Sequence, residues 1–209
     1  MNMDRRDFVR QSTAFAAMSA FLPACAKDNS EKENVSMKVK VTKDKVLVVY
    51  FSRSGNTRHA AETFAETFAK ACGGVRLVEI KAAKPYASDY GTCCDEAKPE
   101  CAAGTLRPIE KIAGLDVSAY DVVLVGTPNW WGTLAPPVRT WVSENAATLK
   151  TKTVCLFQTH GGGGMQNCAR DFAALVEGAT VLPAESYYGA TVKVRPGLKS
   201  FVAERVELM

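Results

Sequence analysis

A hexapeptide rich in hydroxyl and amide groups follows the first strongly apolar run of the chain. It consists of Ser52, Arg53, Ser54, Gly55, Asn56 and Thr57, and we call it the hydroxyl loop. A helical pattern begins directly after it at Arg58, so the helix start adds unsatisfied N–H groups and the positive end of its dipole. A phosphate monoester fits such a cup. The chain has neither a Walker lysine pattern nor a GxGxxG motif, so nucleoside triphosphates and dinucleotides fit less well. A plain helix N-cap with a Ser/Gly turn is the alternative.

Two adjacent tryptophans lie in a second stretch, which follows a later apolar run. This tryptophan loop consists of Thr127, Pro128, Asn129, Trp130, Trp131 and Gly132. Two tryptophans beside Pro and Gly cannot both be ordinary core side chains at a strand end. We therefore expect one of them, with Trp130 as the first candidate, to stack on a planar ligand, and the other to pack beneath the following helix.

Four consecutive glycines follow a histidine at the end of a third apolar run. This glycine loop consists of Thr159, His160, Gly161, Gly162, Gly163 and Gly164. Ordering four glycines has a high entropic cost, so the run indicates backbone that approaches a ligand closely or donates several N–H groups to it. A flexible hinge is the alternative. His160 would stabilise a negative charge if it were protonated, but we prefer a neutral, hydrogen-bonding role for it.

Strand and helix patterns alternate from residue 45 onward and place these three loops. Strands are predicted over residues 45–51, 75–80, 120–126, 152–158 and 180–188, and helices over residues 58–72, 89–103, 136–147, 165–176 and 197–208. Five apolar strands separated by helices predict an α/β fold, with a parallel sheet covered on both faces. Ligands bind outside the carboxyl ends of such strands, where all three loops are expected to meet.

The three loops, in this order and after these strands, resemble the flavodoxin family over about 160 residues. The resemblance implies a doubly wound five-stranded sheet of order 2-1-3-4-5 in a three-layer sandwich, with FMN as the cofactor. It implies that the hydroxyl loop binds the phosphate. It also implies that the backbone of Asn129 and Trp130 lies near the flavin N5, and that the glycine loop faces the N1–C2=O edge.

Composition and charge narrow the classes of partner. The chain has 209 residues, of which 47% are apolar and 23% charged, and its net charge is +4. These values are typical of a globular protein, and the length fits one domain that is large enough to bury a core. The basic residues are scattered rather than clustered, which excludes a nucleic-acid groove as the expected partner site.

The first 43 residues differ in character from the rest. Residues 1–25 combine the pair Arg5 and Arg6 with an apolar run of about 13 residues, which is too short for a stable membrane span and resembles a twin-arginine export signal. Cys25 ends a partial lipoprotein box, so a lipid anchor there is one outcome and release into the periplasm is the other. Residues 26–43 are expected to form a polar tether, and residues 44–209 the folded domain.

Six cysteines remain after Cys25, and export would bring them into an oxidising compartment. We expect a structural disulfide rather than redox catalysis, for example from Cys93 or Cys94 to Cys168. Cys94 and Cys101 on one continuous helix would lie about 10.5 Å apart, too far for a bond. No paired CxxC motif or histidine partner indicates a metal site.

Three functions follow from the resemblance. The first is an FMN oxidoreductase that passes electrons from a reduced donor to a small acceptor such as a quinone. The second is a one-electron carrier serving protein partners, although family carriers are strongly acidic and this chain is not. The third is a binding module without flavin, against which the intact hydroxyl loop argues. None of these functions requires a catalytic residue of the protein. The electron donor and acceptor leave no recognisable signature in the sequence, and whether the protein forms a homodimer is left open.

Overall fold

A computed structural model of the protein describes residues 39–41, 45–194 and 206–208. The predicted export segment and most of the predicted tether lie outside these residues. The described residues belong to one compact unit, which extends over residues 36–209. In the part of the chain described, no helix is long and apolar enough to cross a membrane.

A parallel sheet forms the centre of the fold. Its strands are β2 (Val46–Tyr50), β3 (Val75–Glu79), β4 (Val122–Trp130), β6 (Thr153–His160), β7 (Thr180–Val181) and β8 (Glu185–Tyr188). The order across the sheet is β3-β2-β4-β6-β7, and β8 also pairs with β6. Since β7 and β8 together take the fifth place, this confirms the predicted order 2-1-3-4-5 and the doubly wound α/β class.

Four α-helices cover the sheet in the part of the chain that the structure describes. They are α1 (Asn56–Cys72), α2 (Tyr90–Ala103), α3 (Pro136–Leu149) and α4 (Cys168–Leu175). The residues of strand β2 are all apolar because both faces of the strand are buried. Val48 lies in one core cluster with Phe64 of α1, whereas Val49 lies in another with Trp141 of α3 and Phe172 of α4. The result is a three-layer sandwich.

The third strand is longer than predicted and turns back on itself. β4 continues to Trp130 and pairs antiparallel with a short strand, β5 (Thr133–Leu134), with Asn129 opposite Leu134. At Gly126 the sheet leaves no space for a side chain, since a Cβ there would lie 2.3 Å from the Phe157 ring. A glycine at this point therefore permits the close packing of β4 on β6.

Two predicted elements differ in the structure. The fifth strand is divided into β7 and β8 around Pro183, whose missing N–H cannot donate to a ladder. Residues 206–208, predicted as the end of a closing helix, instead form a strand, β9 (Val206–Leu208), parallel to β1 (Val39–Val41). β-branched Val206 suits a strand. Residues 197–205 of the predicted helix lie outside the described residues, and β1 falls within the last part of the predicted tether.

Candidate functional site

Hydrogen bonds join the three predicted loops at the carboxyl ends of β2, β4 and β6. The hydroxyls of Thr57, in the hydroxyl loop, and Thr159, in the glycine loop, are both buried and lie 2.8 Å apart. Asn129 of the tryptophan loop donates through Nδ2 to the carbonyl of Gly164 in the glycine loop at 2.7 Å. The structure therefore brings the three loops together at one edge of the sheet, as a parallel sheet requires.

The hydroxyl loop is shaped by Gly55 at the start of α1. Gly55 has a φ of +89°, a left-handed conformation that favours glycine, and its N–H donates to Ser52 Oγ at 3.1 Å. Having no side chain, Gly55 cannot accept from the first N–H groups of the 17-residue α1. The exposed side chain of Ser54 and the buried side chain of Thr57 line a cavity of about 300 Å³, which we call the first cavity. This donor set fits an anionic oxygen group such as a phosphate.

The tryptophan loop is a tight hairpin between β4 and β5. Its two turn residues, Trp131 and Gly132, have φ angles of +48° and +83°, as in a type I′ turn. Trp131 is the strained member, because a residue with a Cβ rarely adopts this conformation. Asn129 Oδ1 stabilises the turn by accepting the Gly132 N–H at 2.9 Å.

The two tryptophans have different surroundings. Trp130 is half-buried and packs edge-on against Phe51 and Tyr86, with ring centroids 5.6 and 4.9 Å away. Trp131 is 47% exposed and lines both the first cavity and a second cavity of about 480 Å³ beside the glycine loop. Trp130 also lines the first cavity, but Trp131 offers the more accessible ring. Sequence reasoning took Trp130 as the first candidate to stack on a ligand, whereas in the structure the ring of Trp131 is the more exposed of the two.

The glycine loop is held at both of its ends. His160 Nδ1 accepts the Gly162 N–H at 3.0 Å. At the other end, the carbonyl of Gly164 accepts from the fully buried Gln158 Nε2 at 2.7 Å, as well as from Asn129. Positive φ angles of +134° and +69° at Gly162 and Gly164 explain why glycine suits both positions. The loop is thus an ordered wall rather than a free hinge.

The predicted site residues divide between cavity walls and supporting positions. Those that line the first cavity are Arg53, Ser54, Thr57, Pro128, Asn129, Trp130 and Trp131. Those that line the second are Asn129, Trp131, Gly132, His160, Gly161 and Gly163. Thr127 and Thr159 are buried supports, and the hydroxyl of Thr127 accepts the Ala135 N–H before α3. Ser52, Gly55, Asn56 and Gly162 line neither cavity, although they shape the loops to which they belong.

Helix α2 supplies three wall residues that sequence reasoning did not assign to the site. Tyr90, Cys93 and Cys94 line the first cavity together with Arg53 of the hydroxyl loop. Arg53 connects the two segments, because its Nη2 donates to the Ala87 carbonyl at 3.3 Å and to the Ser88 carbonyl at 2.7 Å. The long, polar segment between β3 and β4 was the available signal, since long connections in compact domains are commonly functional.

No disulfide joins any of the six cysteines among the described residues, so the structure does not contain the predicted disulfide. Cys93 and Cys94 lie at the cavity end of α2, whereas Cys168 lies fully buried at the start of α4. Cys94 and Cys101 belong to one continuous helix, which keeps them apart. Burial raises the pKa of Cys101 to about 11 and that of Cys168 to about 12, and it raises the pKa of Cys93 as well.

A partly buried ion pair packs behind Tyr86, which contacts Trp130. The Arg107 guanidinium donates to Glu100 Oε1 at 2.7 Å and stacks 3.6 Å from the centre of the Tyr86 ring, whose hydroxyl donates to Glu100 Oε2. Burial, followed by the bond to Glu100, raises the pKa of Tyr86. Since Tyr86 packs on Trp130, this network connects α2 to the tryptophan loop. Within the described residues, no cluster of His, Cys, Asp and Glu could hold a metal ion.

Several solved structures share the fold of this chain. A flavoprotein from Lactobacillus acidophilus, solved in complex with FMN, has 23% identity to this chain and a TM-score of 0.58, and the match covers 71% of this chain and 96% of that one. Two proteins described as putative flavoproteins, from Bacteroides eggerthii and Bacteroides uniformis, each have 24% identity and a TM-score of 0.62. The matches cover 76% and 78% of this chain, and 96% and 99% of those two chains, respectively. At this identity the likeness concerns the fold.

The sequence comparisons decide the family. No curated protein sequence matches the chain. The family model described as flavodoxin matches residues 45–202, which include all three loops and most of the chain. The loop order, the sheet order and this match agree, and the chain is therefore a member of the flavodoxin family.

Proposed function

We propose that this protein is an FMN-dependent oxidoreductase that passes electrons from a reduced donor to a small acceptor such as a quinone. The observation that carries the proposal is the wall that α2 adds to the first cavity through Tyr90, Cys93 and Cys94, beside the hydroxyl and tryptophan loops that would hold FMN. A small acceptor can bind against this wall next to the flavin.

FMN is the cofactor that membership of the flavodoxin family assigns to this chain, and a structural neighbour was solved with FMN bound. Ser54, Thr57 and the N–H groups at the start of α1 would hold its phosphate. The exposed ring of Trp131 would contact the flavin plane, and the N–H groups of Gly161 and Gly163 would face its polar edge. Bound FMN would supply the redox chemistry, while the protein orients it and sets its electrostatic environment.

Charge favours the enzyme over the carrier. The chain has a net charge of +4, and Arg53 is the charged side chain among the described residues that line the first cavity. Negative charge around a flavin disfavours its anionic reduced state, so a basic or neutral wall makes reduction easier. The carrier alternative relies on the exposed Trp131, which lies at the surface, where a protein partner could dock.

Stepwise anaerobic reduction of the FMN-loaded protein separates the two functions. For the oxidoreductase, we expect the visible flavin absorbance to fall in a single phase that ends at two electrons per FMN, and quinone to restore it. A distinct spectrum that accumulates at one electron per FMN, without quinone turnover, would favour the carrier. Failure of the purified protein to retain FMN at all would contradict both.

We also propose that residues 1–25 direct export and that Cys25 either carries a lipid anchor or lies next to the cleavage point. The adjacent Arg5 and Arg6 before an apolar run of about 13 residues support this. Changing both arginines to lysine should keep the protein in the cytoplasm of its bacterial host. Cys25→Ala should move a membrane-bound form to the soluble periplasmic fraction. Export of the Arg5→Lys, Arg6→Lys variant would exclude the twin-arginine route.

A further inference from the structure

Two residues other than glycine adopt a left-handed backbone in the part of the chain that the structure describes, and both line the second cavity. They are Trp131, with a φ of +48°, and Gln166, with a φ of +47°. This conformation is unfavourable for a residue that has a Cβ, and it persists where the surroundings hold it, commonly at a binding site. Trp131 belongs to the tryptophan loop, whereas Gln166 lies outside all three loops.

The side chain of Asn129 fixes the direction of the Gln166 amide. Asn129 Oδ1 accepts the Gly132 N–H at 2.9 Å, so Asn129 Nδ2 must face the other way. There it donates to the Gly164 carbonyl at 2.7 Å and to Gln166 Oε1 at 2.9 Å. Because Gln166 meets Asn129 with its oxygen, its Nε2 is left for other partners, and no described residue accepts from it. Gln166 is therefore an oriented donor whose N–H groups are unused.

The Gln166 amide fills the gap between the tip of the hairpin and the glycine loop. A Cβ at Gly163 would lie 3.0 Å from Gln166 Oε1, and a Cβ at Gly132 would lie 3.5 Å from the same atom. The Gly132 carbonyl also accepts the Asn167 N–H at 2.9 Å, which holds the backbone next to Gln166 against the hairpin. The free donor therefore lies beside the glycine-loop N–H groups that would face the polar edge of FMN.

A free N–H group at this position suits an acceptor atom of the ligand. The flavin ring presents acceptors at N1 and at the C2=O oxygen, and negative charge accumulates on this edge when the ring is reduced. A hydrogen bond to a charged acceptor is about twice as strong as one to a neutral acceptor. A donor from Gln166 should therefore stabilise the reduced ring more than the oxidised ring.

We propose that Gln166 is a further FMN-binding residue, which Asn129 positions so that its Nε2 donates to the N1–C2=O edge of the flavin and favours the reduced form. Asn129 is then a positioning residue, because its side chain acts on the flavin through Gln166. This inference rests on the proposed function, since it adds to the FMN site a residue that adjusts how readily the flavin accepts electrons.

Two measurements on the purified protein test the role of Gln166. Fluorescence titration gives the dissociation constant of oxidised FMN, and equilibration with a redox dye of known potential gives the midpoint potential of the bound flavin. For Gln166→Ala we expect the dissociation constant of oxidised FMN to rise about fivefold, the loss of one neutral hydrogen bond. That of reduced FMN should rise at least about tenfold. Since the reduced form loses more affinity, the midpoint potential must fall below that of the wild type.

Asn167→Ala is the matched control. Asn167 is exposed like its neighbour Gln166, its side chain makes no capping bond to α4, and it lines neither cavity. Alanine also keeps the backbone N–H that bonds to Gly132. This variant should leave both the FMN affinity and the midpoint potential unchanged.

Asn129→Asp tests the positioning. The carboxylate keeps an acceptor for the Gly132 N–H, but it turns a second oxygen toward Gln166 Oε1 and the Gly164 carbonyl. FMN binding should weaken as it does in Gln166→Ala. Because the facing oxygens favour the protonated carboxyl, which regains one donor, the deficit relative to the wild type should shrink as the pH falls from about 8 to about 5.

Unaltered FMN binding in Gln166→Ala, an equal weakening of oxidised and reduced FMN, or an equal effect of Asn167→Ala would each overturn the proposal. A deficit of Asn129→Asp that does not change with pH would also overturn it. Wild-type protein that binds no FMN would contradict the proposed function, and this inference with it. Quinone turnover has no part in these measurements, so a failure of the proposed acceptor would show separately.

Discussion

The side chains of Thr57 and Thr159 join two loops that are 102 residues apart in sequence through one buried hydrogen bond of 2.8 Å. Thr57 is the last residue of the hydroxyl loop and lies in the first turn of α1, and Thr159 lies near the end of β6, where the glycine loop starts. Because either hydroxyl can be the donor, the pair leaves its free proton or lone pair to be directed by a ligand. The position of the hydroxyl loop is thereby coupled to that of the glycine loop.

The two hydroxyls that line the first cavity should respond differently to substitution. Ser54→Ala should weaken FMN binding by about 1–3 kcal/mol, the contribution of one charge-assisted bond, without affecting stability, because Ser54 is exposed. Thr57→Val should weaken binding and also lower the free energy of unfolding by about 1–3 kcal/mol, because it leaves Thr159 buried without its partner. Flavin fluorescence titration and urea unfolding measure the two effects.

The double variant Thr57→Val, Thr159→Val provides the control for this interpretation. Replacing both partners by apolar groups of the same shape should restore much of the stability while FMN affinity stays low. If Ser54→Ala and Thr57→Val both bind FMN as the wild type does, the phosphate does not bind in this loop.

The left-handed backbone of Trp131 predicts a conflict between stability and binding. Trp131→Gly and Trp131→Ala both remove the indole, but only glycine adopts a φ of +48° without strain. We therefore expect the glycine variant to be more stable than the alanine variant by about 1 kcal/mol in urea unfolding of the flavin-free protein. Both variants should bind FMN more weakly than the wild type. Equal stability of the two would show that the turn relaxes when the indole is absent.

Arg107 should be important for stability although it lies outside both cavities. Its side chain is 8% exposed, bonds to Glu100 and the Lys84 carbonyl, and stacks on Tyr86. Arg107→Ala should lower the free energy of unfolding by about 3 kcal/mol, since it leaves a partly buried carboxylate without its counter-charge. Arg170→Ala is the comparison, because Arg170 is 73% exposed and pairs with the adjacent Asp171. That change should stay within about 0.5 kcal/mol.

The raised pKa values of the buried thiols predict that the protein loses stability at alkaline pH. An ordinary thiol ionises near pH 9.0, whereas burial raises the pKa of Cys168 to about 12 in the folded protein. Between these values the unfolded chain releases a proton that the folded chain keeps, so the free energy of unfolding must fall as the pH rises. The wild type should lose up to about 1.4 kcal/mol per pH unit more than Cys168→Ala does in this range. Below pH 8, where the thiol is neutral in both states, the two curves should run parallel.

Much of the fold can be predicted from local sequence patterns. The continuous apolar run at residues 46–50 indicates a strand buried on both faces, and Asp89 before residues 90–103 marks the start of α2. These signals depend on neighbouring residues alone, so they predict the five-strand order once the loops identify the family. Residues 206–208 are different, because their strand exists only through pairing with residues 39–41 at the far end of the chain.

The three loops of the site could be predicted from the sequence, whereas the residues of α2 that line the first cavity could not. Adjacent tryptophans and a run of glycines are informative wherever they follow buried strands. Which tryptophan ring is the more exposed depends on Phe51 and Tyr86, which pack against Trp130 from two distant segments. The cysteines show the same limit, since spacing within α2 excludes one disulfide but does not reveal that Cys93 and Cys94 line a cavity.

By itself, the sequence determined the α/β class, the three loops and the family, because strand burial, helix starts and glycine requirements are encoded by residues close in the chain. Tertiary structure decided which ring is exposed, that Tyr90 joins the cavity, and that Thr57 meets Thr159. These relationships arise between segments that are distant in sequence, and the close packing of the layers between them sets the distances across which their side chains meet.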